Sequence, residues 1–177
     1  MDAIVLGKNC SGSTNTTWAH EAGHHFSLPH PFYGWEGTTW NYNDPAPQEV
    51  GGTQVEKADG SNCYTSGDFF CDTRPDYLNY RWECDQNHES STLQHDPNGV
   101  SFRSDASLYM GYSLDNCANR FTPEQIVAMR DNIQFEHNDY IQITEPLVEI
   151  ADNNPVELIS PVDTAFVQYD NVTFSWN

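Results

Sequence analysis

Basic residues are scarce in this sequence: seven Lys and Arg stand against 26 Asp and Glu, a formal charge of −19 over 177 residues. A surface of that sign repels phosphate, which removes the attraction that drives nucleic-acid binding and excludes a nucleic-acid partner. Apolar runs are short as well. None approaches the roughly 20 residues needed to cross a bilayer, so no membrane span is expected, and Met1–Leu6 lacks the basic start and long apolar stretch of a signal peptide. The five cysteines, Cys10, Cys63, Cys71, Cys84 and Cys117, lack the repeated Cys-x-x-Cys spacing of a structural zinc site. Disulfides are the better reading, and they imply an oxidising, extracellular or periplasmic compartment. Their odd number leaves one thiol free or paired outside the segment.

Local signals place two helices in a chain that is otherwise mostly loop. Ala3-Ile4-Val5-Leu6 is a β-branched run ending at Gly7 and reads as a strand. A helix is expected from about Thr17 to Phe26, stopped near Pro29 because the residue before a proline is pushed out of the helical region. From Tyr33 to about Asn98 the chain is rich in Gly, Pro, Asn, Asp and Trp without periodicity, so cysteine-stapled loop is expected there. Thr122-Pro123-Glu124-Gln125 opens a second helix with a capping box and proline in the first turn, and Ile126, Met129 and Ile133 give it one apolar face. After about Glu145 short β-type runs such as Val156–Ile159 and Val172–Trp176 resemble the first strands of a fibronectin type III or immunoglobulin-like sandwich. We therefore divide the chain into a catalytic-type part, 1–145, and a linker with a β-sandwich start, 146–177.

The chemistry concentrates in His20-Glu21-Ala22-Gly23-His24-His25-Phe26-Ser27-Leu28-Pro29-His30. His20 and His24 stand one helical turn apart and point the same way, so two neutral imidazoles can grip one ion. Hydrolytic zinc takes three protein ligands and keeps its fourth position open, and His30 is placed to be the third. Glu21 is the general-base position beside the ligands. With seven histidines in the chain, the His-Glu-x-x-His spacing arises by chance in roughly one such sequence in sixty, and the third histidine makes coincidence far rarer. His25, His88, His95 and His137 lack ligand spacing and read as surface or loop residues.

The extended motif resembles that of the metzincin zinc peptidases, and further segments resemble the pappalysin family within them. Ser107-Leu108-Tyr109-Met110-Gly111-Tyr112 is similar to the metzincin Met-turn, with Met110 as the apolar floor under the histidines. Gly67-Asp68-Phe69-Phe70-Cys71-Asp72-Thr73 and Phe121-Thr122-Pro123-Glu124-Gln125 resemble two other pappalysin segments, so the similarity covers about residues 3 to 135. The resemblance implies an α+β zincin catalytic domain, of which this chain is the C-terminal part, acting on a protein or peptide substrate. It implies a catalytic Zn2+ on His20, His24 and His30, an oxyanion-binding Tyr112 and a structural Ca2+ to which Asp68 and Asp72 contribute. It also implies a Cys63–Cys117 disulfide; we then expect Cys71 with Cys84 as the second, leaving Cys10 over. The chain reads as a fragment of a secreted protein whose signal peptide lies upstream; its oligomeric state is not indicated.

Three positions depart from the family pattern. Ser27 replaces the glycine that turns the chain toward the third ligand, where a left-handed conformation is costly for any other residue. Arg74 replaces a proline. Asn116 stands where some relatives place an acid at the base of the pocket for the residue after the cut, so a preference for basic residues there requires neighbouring Asp115 to take over. The alternative to an enzyme is a catalytically inactive metalloprotease-like binding or adhesion module; the intact Glu21 argues against it.

Overall fold

The computed structural model describes Ile4, Leu6, Gly7, Cys10, Gly12 and residues 14–141, with the strand residues 158–160 and 175–176. The chain divides into two compact units, Met1–Gln142 and Ile143–Asn177. The first is a small α+β fold. Its elements in order are α1 (Thr17–His25), β1 (Glu49–Val50), β2 (Thr53–Gln54), a 3-10 turn (Cys63–Thr65), β3 (Gln94–His95), β4 (Ser101–Phe102), α2 (Pro123–Phe135) and a second 3-10 turn (Asn138–Ile141). In the second unit β5 (Leu158–Ser160) pairs antiparallel with β6 (Ser175–Trp176); β5 overlaps the first run read as a strand and extends one residue past it, and β6 lies within the second. The rest of the expected sandwich, and Ala3 and Val5 of the expected first strand, lie outside the described residues.

Between the helices the sheets are minimal. Gly51 and Gly52, both at positive φ (59° and 82°), form the tight connection that pairs β1 with β2, a geometry that only small or glycine residues adopt without strain. Asp96 closes the β3–β4 hairpin by accepting from the N–H groups of Asn98 and Val100 at 2.8 Å each. The core is built from aromatic loop residues: Phe32, Trp35, Ala46, Val50, Val55 and Tyr77 in one cluster, and Leu78, Trp82, Ala106 and Cys117 in another. Tyr112 packs against both. Tyr77 shows how a loop becomes rigid. Its ring stacks on Trp35, its N–H donates to Gln94 Oε1 at 2.9 Å and its hydroxyl donates to the Glu56 carbonyl.

The disulfides pair differently from the resemblance. Cys63 joins Cys71 and Cys84 joins Cys117, with Cα atoms 5.0 and 6.0 Å apart. Chain direction explains both. The 3-10 turn, followed by left-handed Gly67 and Phe69, folds the loop back so that Cys71 meets Cys63. Trp82 runs alongside Tyr112–Leu114, donating to the Tyr112 carbonyl at 3.2 Å and accepting from Leu114 N–H at 2.9 Å, which brings Cys84 to Cys117. Helix α2 has the expected capping box, Thr122 with Gln125. Its expected apolar face is not buried: Ile126 is exposed, Met129 and Ile133 are half-buried, and Gln125 is the buried residue. The cap itself is what docks, because Asp72 accepts from Glu124 N–H at 2.9 Å while the Glu124 carboxylate accepts from Cys71 N–H at 2.6 Å.

Candidate metal centre

Helix α1 exists to present side chains rather than to bury a face; Gly23 is its one buried residue. Asn15 supplies the N-terminal cap, accepting from Thr17 N–H at 2.8 Å, and leaves Thr16 free to donate to Asp115 Oδ1 at 3.0 Å. The helix ends in a Schellman turn. Ser27 N–H donates to the His24 carbonyl and Leu28 N–H to the Gly23 carbonyl, both at 2.9 Å. Ser27 is left-handed (φ 70°), the conformation usually given to glycine. Two contacts hold it there: Leu28 is buried beneath the turn and Asn132 of α2 donates to the Ser27 hydroxyl at 2.7 Å. The turn sends the chain back over the helix and delivers His30 to the face that carries His20 and His24.

The three imidazoles meet through their Nε2 atoms, 3.1 Å between His20 and His24, 3.0 Å between His24 and His30 and 3.2 Å between His20 and His30. A triangle of this size is what three nitrogens make when each lies about 2.0–2.1 Å from one transition-metal ion. The outer nitrogens are engaged as metal-ligand histidines require. His20 Nδ1 lies 2.8 Å from the Tyr109 carbonyl, His24 Nδ1 lies 2.8 Å from the Leu28 carbonyl and His30 Nδ1 lies 3.4 Å from Glu36 Oε1. Each carbonyl fixes the tautomer that leaves Nε2 as the electron-pair donor. The group His20, His24 and His30 could therefore hold a metal ion. His25, His88, His95 and His137 do not join it.

Burial favours the neutral form of His20 and His30. It lowers His20 below its ordinary value, and burial together with the neighbouring His24 and His20 rings pushes His30 down from 6.5 to about 3. Between those two pH values an unfolded chain binds a proton at His30 that the folded chain refuses, so this contribution is full above pH 6.5 and is lost as pH falls. Denaturation of the metal-free protein across that range is expected to show a steeper loss toward acid in the wild type than in His30→Gln. Equal slopes would mean that the fold does not hold His30 neutral.

Met110 packs against α1 at Gly23. It is fully buried, and the turn around it hydrogen-bonds Gly111 N–H to the Leu108 carbonyl and aims the Tyr109 carbonyl at His20. Its thioether fills the space a side chain at position 23 would need: a Cβ there would overlap Met110 Sδ and lie 3.2 Å from both Met110 Cε and Phe121 Cε1. Gly23→Ala gains about 1 kcal/mol of helix propensity and loses about 1–3 kcal/mol to overpacking, so a lower melting temperature is expected. In a Met110→Ala background the same substitution should become neutral or stabilising. A Gly23→Ala protein as stable as wild type would remove the tight contact from the account.

Beside the triad lies a cavity of about 170 Å³ lined by Thr16, Thr17, His20, Glu21, Arg81, Tyr109, Gly111 and Tyr112. Glu21 and Tyr112 thus share a cavity with a metal-ligand histidine, and the Tyr112 ring centre lies 5.9 Å from that of His20 and 4.9 Å from that of His30. Asn116 is exposed and does not line this cavity, and Asp115 is occupied by Arg81 and Thr16. Arg81 gave no sequence signal, since it lies 51 residues beyond His30 in irregular chain.

A second polar cluster sits in the interior. Glu56, Asp68 and Asp76 are 3, 1 and 3 % exposed, and both Glu56 oxygens and Asp68 Oδ2 lack a hydrogen-bond partner. A Cβ on Gly67 would overlap Glu56 Oε2, so glycine lets the two acids approach. Burial pushes Glu56 up to about 9 and Asp68 and Asp76 up to about 7. Asp72, paired with Asp68 from the sequence, accepts from Glu124 N–H in the first turn of α2 through Oδ2. Glu56 carries no motif that could have identified it.

No known protein-family model matches this chain, and neither a curated protein nor a solved structure matches it.

Proposed function

We propose that this chain is the active-site part of a secreted, pappalysin-like zinc endopeptidase. The observation that carries the reading is the meeting of three Nε2 atoms beside a cavity that Glu21 and Tyr112 also line. His20, His24 and His30 would hold zinc, which would supply Lewis acidity for a carbonyl and for water. Glu21 takes the proton from the attacking water and passes it to the departing amine. The Tyr112 hydroxyl donates to the oxygen of the substrate carbonyl as it gains negative charge. Tyr109 and Leu28 carbonyls hold the ligand rings in register, and Met110 and Phe121 keep the helix seated.

Two disulfides agree with an extracellular setting, and among the described residues no helix is long and apolar enough to cross a membrane. Digestion of a mixed peptide library by the zinc-loaded protein tests the proposal, with products read by mass spectrometry. Cleavage that disappears on chelation is expected. A protein that binds one zinc per chain and cuts no peptide would favour the binding-module alternative.

For the interior acids we propose a structural calcium ion held by Glu56 and Asp68. Their orphaned, buried oxygens are hard ligands of the kind calcium takes, and a bound cation would remove the penalty of burying them charged.

A further inference from the structure

The cavity beside the histidines is lined by two charged residues of opposite sign, Glu21 and Arg81. In a chain with 26 acidic residues, a basic one, Arg81, lines this cavity together with His20 and Glu21, and its charge acts on His20. Its position is fixed by the neighbouring Trp82, which is hydrogen-bonded on both sides to the Tyr112–Leu114 segment. Arg81 Nη2 donates to Asp115 Oδ1 at 3.0 Å, and the same oxygen accepts from Thr16. Asp115 therefore stands behind Arg81 as its support and is not itself among the cavity-lining residues. An arginine has five N–H donors in a planar fork suited to a carboxylate, and this bond uses one of them. Thr16 and Thr17, at the N-terminal end of α1, form another part of the wall, so the positive end of the helix adds to the same field. The cavity's 170 Å³ equals the liquid volume of about five or six waters, enough for a short acidic side chain.

We propose that Arg81 makes this cavity a carboxylate-selective subsite, favouring substrates with an acidic side chain next to the bond to be cut and disfavouring lysine or arginine there. This rests on the peptidase reading for its use, although the binding preference can be measured without turnover.

Three small hydroxamates that chelate zinc and differ only in carrying a glutamate, glutamine or lysine side chain serve as probes. Calorimetry on the zinc-loaded protein is expected to rank them glutamate, glutamine, lysine, about fivefold apart per step at low salt. The spread should shrink at high salt, vanish in Arg81→Gln and keep its direction in Arg81→Lys. Equal affinities, or lysine binding tightest, overturn the proposal; because that ranking is read on the wild type, it holds even where Arg81→Gln fails to fold. The two readings fail separately. The ranking without any peptide cleavage removes the peptidase and keeps the subsite, whereas chelator-sensitive cleavage without the ranking removes the subsite alone.

Discussion

Glu21→Ala is expected to slow cleavage of a susceptible peptide by about 10³-fold while the protein still carries one zinc ion. Glu21 lines the cavity beside His20 and supplies none of the three converging nitrogens, so its loss removes the proton carrier and leaves the ion's ligands intact. His24→Ala should behave differently. His24 Nε2 lies within 3.1 Å of both other ligand nitrogens, and two imidazoles cannot hold the ion in the same way, so metal content and activity should fall together. Tyr112→Phe keeps the ring that packs on Phe32 and His30 and deletes the hydroxyl; a loss of about 10²-fold, expressed in kcat more than KM, is expected for one oxyanion donor. Metal analysis beside peptide kinetics for the three variants separates binding, proton transfer and oxyanion stabilisation. Full activity in Glu21→Ala would end the mechanism.

Removal of calcium is expected to lower the melting temperature by about 5–10 °C. Ligand at about 100 times its Kd contributes about 2.7 kcal/mol, and in a chain of this size each kcal/mol moves the midpoint by about 2–4 °C. The pH dependence identifies the site. Without a cation the folded protein keeps Glu56 protonated up to about pH 9 while the unfolded chain releases that proton near 4.5, so metal-free stability falls as pH rises through this window. Calcium binds the ionised acids, so the shift it causes should grow from pH 5 to pH 8. Glu56→Gln should make the metal-free pH profile shallower, leaving the slope below about pH 7 that Asp68 and Asp76 contribute, and abolish the calcium shift with the zinc content unchanged. A calcium shift that survives Glu56→Gln would place the ion elsewhere.

The candidate metal ligands were legible because their geometry is local. His20 and His24 are fixed by helical periodicity, and His30 follows the helix cap by a turn of only three residues. The second helix was legible at its start for the same reason, since Thr122 and Gln125 cap each other within one turn. Its expected apolar stripe failed because burial of a helix face depends on what lies opposite, and α2 is docked by its capped end. The cysteine pairing failed on long-range grounds too. Cys84 and Cys117 are 33 residues apart and meet because Trp82 aligns with Ser113, an alignment that no spacing rule contains.

By itself, then, the sequence determined the chemistry that one helix and one turn can hold: three histidines, a carboxylate between the first two and the helix that displays them. Only the tertiary structure decided what surrounds that chemistry. It set Met110 against Gly23, the Tyr109 carbonyl against His20, Arg81 in the cavity wall and Glu56 beside Asp68. The physical reason is range. Helical and turn hydrogen bonds span three to five residues and leave a pattern in the chain, whereas the field and packing at the site come from residues brought together by folding, which leave none.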